Sequence, residues 1–178
     1  MAKFSNIVLV GFMGTGKTSV GGLVAARSGF KFIDMDDVIQ RRTGKTIPVI
    51  FSEDGEPKFR SLERALVREL SELSGQVIAA GGGIVLNPDN IADFERTGLV
   101  VCLLASAEVI LKRTASDTGR PLLAGEGKMD KIIRLLEARK KLYERIPHHI
   151  DTTDLSVEEV ANGIMSLFGR GMTPMSIL

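Results

Sequence analysis

The stretch VGFMGTGKTSVGGLVAARSG (residues 10–29) decides the fold, because it places several glycines and a lysine where an apolar segment gives way to a helical pattern. It fits the spacing Gly-x-x-x-x-Gly-Lys-[Ser/Thr] with Gly11, Gly16, Lys17 and Thr18. In such a loop the backbone N–H groups point inward, the lysine reaches the β and γ phosphates, and the next helix adds its positive end. The stretch therefore predicts a loop that binds the phosphates of a nucleotide, with Thr18 as a ligand of Mg²⁺.

An ordinary glycine-rich turn before a helix is the alternative interpretation. An apolar strand, however, ends at the first glycine of the motif and a helical pattern begins at the lysine, as phosphate binding requires. The residues predicted to contact the nucleotide in this stretch are Gly11, Gly14, Thr15, Gly16, Lys17, Thr18 and Ser19.

Outward from this loop, the chain alternates short apolar runs with longer helical patterns. Such alternation is typical of α/β proteins, in which helices cover a parallel sheet. The predicted strands span residues 6–11, 31–34, 76–81, 98–104 and 148–151. The predicted helices span residues 17–28, 36–43, 57–73, 89–96, 106–115, 129–145 and 156–168. On the sixth helix we expect a buried stripe made of Ile132, Ile133, Leu135, Leu136 and Leu142.

Two segments and the tail stand apart from this alternation. Residues 41–59 are too many for an ordinary connection between strands, and residues 116–128 mix glycine and proline with charges, as mobile loops do. We expect the last stretch, residues 169–178, to fray.

Length and composition favour a single domain of 178 residues, 44% of them apolar. Because 23 Lys and Arg balance 22 Asp and Glu, the formal charge of +1 favours neither a nucleic acid nor a membrane surface as a partner. The lone Cys102 lies in the longest apolar run, residues 99–105, which is too short for a membrane helix. We interpret it as a buried packing residue in a reducing compartment and, without a signal peptide pattern, expect a cytoplasmic protein.

Three aspartates follow the second predicted strand within the segment DMDD (residues 34–37). In doubly wound sheets ligands sit beyond the carboxyl ends of the strands, so a carboxylate at Asp34 would face the same crevice as the phosphate loop. Asp34 is therefore a candidate metal ligand. Asp36 has two interpretations from spacing alone, a catalytic carboxylate or the N-cap of the next helix.

Several weaker signals follow along the chain. Arg60 and Glu63 lie three apart on a helical pattern, where an exposed ion pair is the plain alternative to a role in binding. Three glycines at residues 81–83 follow a strand, where backbone can approach a ligand closely. Arg120 precedes a proline in the loop, and Arg139 precedes two lysines that suit a solvated surface. Each of these signals is weak alone.

Together the motifs resemble the shikimate kinase family from residue 5 to about residue 168. They occur in family order as the phosphate loop, Asp-x-Asp at 34 and 36, FRSLE at 59–63, GGG at 81–83, RPLL at 120–123 and RKKLY at 139–143. The resemblance implies a single three-layer α/β/α P-loop kinase domain with a five-stranded parallel sheet, a substrate-binding helical insert at about 35–62 and a lid at about 116–128. It also implies that ATP, with Mg²⁺, donates its γ-phosphoryl group to the 3-hydroxyl of shikimate in aromatic amino acid biosynthesis.

On the acceptor side, the resemblance places Asp34 near the magnesium and Asp36 on the accepting hydroxyl. Arg60 and Arg139 match the pair that holds the carboxylate of shikimate, a role that suits the planar arginine fork. Further acceptor-side positions implied by the resemblance are Phe59, Glu63, Gly82 and Gly83. Whether Asp36 accepts the hydroxyl proton or chiefly orients the nucleophile is left open by the sequence.

On the nucleotide side, the resemblance places Arg113 near the adenine and Arg120 on the lid, where it reaches the phosphates. Lys17, Mg²⁺ and Arg120 are then the cations that stabilise the charge of the migrating group. The segment TTDLSV (residues 152–157) lacks the Asn-Pro of some family members, which leaves the adenine contacts there open. We expect a monomer with shikimate, ATP and ADP as its ligands.

Three alternative functions predict different features of the sequence. A kinase for another small hydroxylated acid or for a nucleotide would share the insert and the lid. A nucleotide-operated switch would need an Asp-x-x-Gly, which is absent, and an Asn/Thr-Lys-x-Asp, to which GKMD (residues 127–130) is the nearest approach. A catalytically inactive homologue is disfavoured, because every proposed catalytic position carries the expected residue.

Overall fold

A single parallel sheet organises the chain. The computed structural model describes residues 4–115, 121–123 and 125–172. Its strands are β1 (Asn6–Gly11), β2 (Lys31–Asp34), β3 (Gln76–Ala79), β4 (Gly98–Leu104) and β5 (His148–Asp151). They lie in the order β2-β3-β1-β4-β5, and every pairing is parallel. The predicted α/β fold with a five-stranded parallel sheet is confirmed.

Helices connect the strands on both faces of the sheet. Those in the described residues are α1 (Lys17–Ser28), α2 (Met35–Thr43), α3 (Ile47–Val49), α4 (Glu56–Ser71), α5 (Pro88–Thr97), α6 (Ala107–Arg113), α7 (Lys128–Tyr143) and α8 (Val157–Met172). Shorter turns are a π-helical turn at Ile50–Asp54 and 3₁₀ turns at Ile84–Leu86 and Pro121–Leu123. Side-chain caps explain two of the starts: Asn87 accepts from the N–H of Asp89 at α5, and Ser106 accepts from the N–H of Val109 at α6.

Alternate residues of β1 point to opposite faces of the sheet and divide the core into two layers. Val8 and Val10 pack in a cluster with side chains of α4, α5, α6 and α7, whereas Ile7 and Leu9 pack with α1 and α8. All residues of β1 are buried, as expected for a central parallel strand covered on both faces. The chain moves to β2 on one side of β1 and later to β4 on the other, so the carboxyl end of β1 is the switch point where ligands bind in such sheets.

The buried face of α7 agrees with most of the predicted stripe. Ile132 is fully buried, and Leu135, Leu136 and Leu142 are partly buried and pack against the core. Ile133 is 45% exposed, so its place in the stripe was wrong. The face also carries Arg139 and Tyr143, which are each 4% exposed and follow Ile132 by seven and eleven residues, spacings that return to the same side of a 3.6-residue helix. Two polar groups thus lie on the same face as the aliphatic residues.

Several element ends differ from the predictions: α4, α6 and α7 each end two residues before the predicted end. β3 ends at Ala79, two residues before the predicted end, because the chain turns away from the sheet toward the glycines. α8 continues to Met172, past the predicted end at residue 168, so the start of the expected frayed tail is helical. Residues 173–178 lie outside the described residues.

The lone cysteine is a packing residue. Cys102 is fully buried in β4, as predicted, and burial raises the pKa of its thiol to about 12.

Across residues 4–115, 121–123 and 125–172, the structure contains no helix with both the length and the apolar character of a membrane span.

Candidate active site

The phosphate loop (residues 11–18) leaves the carboxyl end of β1 and leads into α1. Gly11 has φ 135°, and a Cβ at this position would overlap the carbonyl oxygen of Leu103 on β4, so a side chain is excluded here. The Lys17 ammonium donates to the carbonyl oxygens of Gly11, at 2.8 Å, and Phe12, at 2.9 Å. Because α1 begins without a side-chain cap, its N-terminal backbone presents the positive end of the helix to an anion.

This loop forms one wall of an open cleft of about 650 Å³, a size typical of small-ligand sites. The predicted nucleotide and metal residues that line the cleft are Gly14, Thr15, Gly16, Lys17, Thr18, Ser19, Asp34 and Arg113. Gly11 does not line it but supports the loop through the bond from Lys17. Eight of the nine described residues predicted on the nucleotide and metal side therefore come together around one cleft.

Thr18 and Asp34 bring a hydroxyl and a carboxylate together at the floor of this cleft. The Thr18 hydroxyl donates to Asp34 Oδ2 at 2.8 Å, while Asp34 Oδ1 accepts from the N–H groups of Asp36 at 3.0 Å and Asp37 at 3.4 Å. Asp34 is thus the N-cap of α2, so the alternative that Asp36 is only an N-cap is wrong.

The oxygens of Thr18 and Asp34 fit a magnesium ion. The described residues hold no group of three or more His, Cys, Asp or Glu side chains arranged as metal ligands. Mg²⁺ in kinases needs no such group, since it keeps several waters and is held by one or two protein oxygens together with substrate phosphates. A hydroxyl 2.8 Å from a carboxylate whose other oxygen is fixed by a helix cap meets that requirement.

A second, smaller pocket adjoins the nucleotide cleft, and we call it the acceptor pocket. Its lining includes the predicted acceptor-side residues Asp36, Phe59, Arg60, Glu63, Gly82, Gly83 and Arg139. Asp36, Ile47 and Gly82 line both the acceptor pocket and the nucleotide cleft. The two pockets therefore meet at a carboxylate, an aliphatic side chain and a glycine backbone.

Arg60 and Glu63 form a buried ion pair on α4. Arg60 Nη1 donates to Glu63 Oε2 at 2.5 Å, and Arg60 Nε and Nη2 donate to Glu56 Oε1 at 3.1 and 2.8 Å. Glu63 is 1% exposed and the Arg60 side chain 24%, so the alternative of an exposed surface pair is wrong. The Arg60 guanidinium also lies over the Phe59 ring, 5.2 Å from its centroid, in a cation–π contact.

Burial perturbs the charges of this pair. Burial raises the pKa of Glu63 to about 7 and outweighs the lowering effect of Arg60, while the nearby Asp36 adds to the rise. Burial alone would lower the pKa of Arg60, but Glu63 and Glu56 outweigh it and leave that pKa raised. Glu63 Oε1 is buried and accepts no hydrogen bond from the described residues. The acceptor pocket thus contains a carboxylate that titrates near neutral pH beside a fixed cation.

The three glycines let charged side chains approach the backbone after β3. A Cβ on Gly83 would overlap the Arg60 guanidinium, and a Cβ on Gly81 would overlap Glu63 Oε1. The Gly82 carbonyl oxygen accepts from Arg139 Nη1 at 3.1 Å. The absence of side chains at Gly81 and Gly83 is therefore what allows Glu63 and Arg60 to pack against this backbone.

Tyr143 shares an acceptor with Arg139, one helical turn earlier on α7. Its hydroxyl donates to the Gly82 carbonyl oxygen at 2.9 Å. Burial raises the pKa of Tyr143 to about 12, so its hydroxyl stays protonated. The Arg139 guanidinium lies 5.8 Å from the centroid of the Phe12 ring. Arg139 and Tyr143 therefore hold the glycine segment from one side.

The predicted lid is described only in part. Arg120 and its neighbours at 116–119 lie outside the described residues, so the expected role of Arg120 stays a prediction. Pro121 and Leu122, which follow it, line the acceptor pocket. The lid sequence thus reaches the acceptor pocket at the two residues after Arg120.

The sequence assigned no individual role to Tyr143 or Thr152. Tyr143 lies four residues after Arg139 in RKKLY, a spacing that places both on one helix face. Thr152 begins the segment 152–157, whose adenine contacts the sequence left open; it follows β5 directly and contacts Arg113 at the edge of the nucleotide cleft. Its position beyond the carboxyl end of a strand is the signal that points to it.

Known proteins share this sequence and geometry. The family model "Shikimate kinase" matches residues 13–168. A shikimate kinase of Thermodesulfovibrio yellowstonii is 47% identical over 165 residues, which cover 93% of this chain and 95% of that protein. A shikimate kinase of Caldanaerobacter subterraneus is 44% identical over 163 residues, which cover 92% of this chain and 95% of that protein.

Solved structures agree with the sequence comparison. Shikimate kinase from Acinetobacter baumannii in complex with shikimate superposes with a TM-score of 0.91 at 37% identity, covering 97% of each chain. A gluconokinase from Sinorhizobium meliloti has a TM-score of 0.59 at 19% identity, covering 95% of this chain and 94% of that chain, which shows a shared fold alone. Since the family match and its relatives span most of the sequence, the chain belongs to the shikimate kinase family.

Proposed function

We propose that the protein transfers the γ-phosphoryl group of ATP to the 3-hydroxyl group of shikimate at the junction of its two pockets. The observation that carries this proposal is that Asp36 lines both the nucleotide cleft and the acceptor pocket. Phosphoryl transfer requires donor and acceptor to meet in line, and catalysis then rests on positioning and on charge stabilisation. A carboxylate on the shared wall would contact the acceptor hydroxyl next to the donor phosphates.

In the nucleotide cleft, backbone N–H groups of the phosphate loop would bind the phosphates, and the Lys17 ammonium would add positive charge. Thr18 and Asp34 would hold Mg²⁺, which neutralises phosphate charge when bound. Because Asp34 also caps α2, the carboxylate is held in one orientation relative to Asp36. Arg113 lines the same cleft and would contact the nucleoside end of ATP.

In the acceptor pocket, Arg60 and Arg139 would bind the carboxylate of shikimate. Arg139 is 4% exposed, and Arg60 is held by two glutamates, so both cations are fixed before any ligand binds. Charge-assisted bonds from a guanidinium to a carboxylate are strong in such shielded surroundings. Phe59, Gly82 and Gly83 would pack against the ring, and Glu63 would keep Arg60 in place.

Asp36 would contact the accepting hydroxyl, either taking its proton late in the transfer or orienting its oxygen. Arg120 would stabilise the migrating phosphoryl group from the lid. Its assignment rests on the sequence RPLL and on the two following residues that line the acceptor pocket. Loss of turnover in Arg120→Ala with retained shikimate binding would support it.

We further propose a monomeric, single-domain protein of the cytoplasm. Both core clusters pack on one sheet, and the exposed large apolar side chains outside the cleft, Leu73, Leu86 and Ile133, lie singly on different elements. The buried thiol of Cys102, with its raised pKa, suits a reducing compartment. Light scattering of the purified protein at increasing concentration tests the monomer.

A coupled assay for ADP release tests the activity. The wild-type protein with ATP and Mg²⁺ should release ADP with shikimate, and not with gluconate or nucleoside monophosphates. Chelation of Mg²⁺ should abolish the release, and Thr18→Ala should raise the Mg²⁺ concentration needed for half-maximal rate. Faster turnover of gluconate or a nucleotide than of shikimate would contradict the proposal.

A further inference from the structure

Thr152 lies where three segments meet at the edge of the nucleotide cleft. It follows β5 and is 2% exposed. Its backbone N–H donates to the carbonyl oxygen of Leu104, at the end of β4, at 2.8 Å. Its hydroxyl lies 3.0 Å from the same oxygen and 3.2 Å from the carbonyl oxygen of Thr15 in the phosphate loop. The hydroxyl proton therefore lies within hydrogen-bond reach of both carbonyl oxygens, one at the end of β4 and one in the phosphate loop.

The oxygens of Thr152 also bind Arg113, the last residue of α6. Arg113 Nη1 donates to the Thr152 hydroxyl oxygen at 2.9 Å, and Nη2 donates to the Thr152 carbonyl oxygen at 2.8 Å. Arg113 Nη1 also donates to the carbonyl oxygen of Gly14 in the phosphate loop, at 3.4 Å. One threonine therefore presents two acceptors that match the planar fork of the guanidinium.

This arrangement restrains a side chain that would otherwise be mobile. Arg113 is exposed at the surface, where a long arginine ordinarily samples many rotamers. The Thr152 oxygens hold it across the cleft edge, between β5 and the phosphate loop. Leu155 and Val157, which follow Thr152 in the chain, line the same cleft.

We propose that Thr152 is a positioning residue for nucleotide binding, and that it acts by holding Arg113 in the orientation that contacts the nucleoside part of ATP or ADP. The inference rests on the proposed function, which assigns Arg113 to the nucleotide. Thr152 lines the nucleotide cleft and is absent from the lining of the acceptor pocket. Substitution of Thr152 should therefore weaken nucleotide binding and leave shikimate binding unchanged.

The structure separates this role from simple packing. Valine has nearly the shape of threonine but offers neither a hydroxyl acceptor to Arg113 nor a donor to Thr15. Serine retains both functions. Thr114 supplies a matched control, because it is also 2% exposed and adjoins Arg113, but its hydroxyl donates to Ile110 of its own helix, at 2.8 Å.

The experiment measures ADP binding by titration calorimetry without shikimate, together with the KM values for ATP and shikimate and kcat. Thr152→Val should weaken ADP binding and raise the KM for ATP about tenfold, as expected for loss of a bond to a charged group. The KM for shikimate and kcat should change by less than about twofold, while Thr152→Ser and Thr114→Val should stay near the wild type.

A double-mutant cycle then tests the route through Arg113. In an Arg113→Ala background, Thr152→Val should change ADP affinity by less than about twofold, since the side chain it positions is gone. A tenfold loss of ADP affinity in the Arg113→Ala background would overturn the proposal. It would show that Thr152 acts on the phosphate loop through Thr15 instead. Equal losses for ATP and shikimate, or a loss in Thr152→Ser as large as in Thr152→Val, would overturn it as well.

Two further results keep the test decisive. If Thr152→Val does not fold, Thr152→Ala removes the hydroxyl without adding bulk and must show the same selective loss of ADP affinity. ADP titration does not depend on turnover of shikimate, so a wild-type protein that binds ADP but does not phosphorylate shikimate would contradict the proposed function while the test of Thr152 still stands.

Discussion

The two ends of the active site are built in different ways. The nucleotide end is an open cleft of about 650 Å³, one side of which is lined by the contiguous residues 14–20 from the phosphate loop and the start of α1. The acceptor end uses side chains from separate elements: Asp36 on α2, Arg60 and Glu63 on α4, and Arg139 on α7. Of these, Glu63 and Arg139 are only 1% and 4% exposed.

This difference decides how each end responds to change. A loop of backbone donors depends on local conformation, and most of its function survives changes in distant side chains. In a buried cluster of charges, each group affects the pKa and the hydrogen bonds of its neighbours. One substitution therefore changes the pKa values and hydrogen bonds of several residues at once. Substitutions at the acceptor end should therefore act on the acceptor and on stability while sparing the nucleotide.

The largest effect is expected where the two ends meet. Asp36→Asn should lower kcat by roughly two orders of magnitude or more, the usual contribution of a positioned acid or base, while shikimate binding largely survives. Steady-state kinetics and shikimate titration measure both quantities. Asp37→Asn, on the adjacent exposed position that borders only the nucleotide cleft, is the control. A near-normal kcat in Asp36→Asn would remove Asp36 from the chemistry.

The charge cluster should also make stability depend on pH. The pKa of Glu63 is about 7 in the folded protein against an ordinary value of 4.5, because burial outweighs Arg60 and Arg139 and Asp36 opposes ionisation. The folded state thus holds this proton more tightly than the unfolded chain, a contribution fully present below pH 4.5 and lost as pH rises through about 7. At about 1.4 kcal/mol per pKa unit, the rise from 4.5 to about 7 corresponds to about 3 kcal/mol of unfolding free energy.

Urea unfolding between pH 4.5 and 8 checks this dependence. The stability of the wild type relative to Glu63→Gln should fall as pH rises and become constant above the folded pKa. Glu69→Gln on the same helix is the control, because Arg42 lowers the pKa of that exposed carboxyl. The same falling difference in Glu69→Gln would show that the slope does not come from Glu63.

Removal of one acceptor-side arginine should affect the KM for shikimate and leave the KM for ATP nearly unchanged. Arg139→Ala should raise the KM for shikimate about ten- to a hundredfold, since a bond to a charged group contributes about 1.5–3 kcal/mol, with little change in the KM for ATP. Lysine at this position should restore only part of the affinity. Arg134→Ala, at an exposed position on the same helix, is the control. Similar losses for ATP and shikimate would assign Arg139 to the nucleotide or to the fold.

Arg60→Ala should likewise raise the KM for shikimate more than the KM for ATP, but it should also lower stability. It leaves Glu63 buried without its ion-pair partner, so the free energy of unfolding should fall as well, most clearly above pH 7 where Glu63 is ionised. Thermal unfolding of Arg60→Ala and Arg139→Ala at pH 6 and pH 8 compares them. A pH-independent loss in Arg60→Ala would contradict the coupling to Glu63.

The smallest effect should come from Tyr143→Phe. The change removes one of two bonds to the Gly82 carbonyl oxygen, while Arg139 keeps the other. A neutral hydrogen bond contributes about 1 kcal/mol, so the KM for shikimate should rise about two- to tenfold with kcat and the KM for ATP unchanged. A loss of thermal stability without any change in the KM for shikimate would limit Tyr143 to packing.

Much of the fold could be predicted from the sequence because its signals are local. The bounds of β1, β2, β4 and β5 agree with the predictions, since apolar runs bounded by polar or glycine residues mark strands directly. Most of the buried stripe of α7 was predicted, but the exposure of Ile133 and the burial of Arg139 were not, because periodicity counts the first residue as apolar and the second as polar. Arg139 is buried where it donates to the backbone of Gly82, 57 residues earlier in the chain.

The sequence by itself determined the phosphate loop, because eight contiguous residues carry both the conformation and the chemistry of that site. Only the tertiary structure decided the burial and raised pKa of Glu63, the bond of Arg139 to Gly82, and the contact between Arg113 and Thr152. These depend on segments up to 57 residues apart and on the water that packing excludes between them. Burial and dielectric surroundings belong to the packed assembly of elements, so no local pattern specifies them.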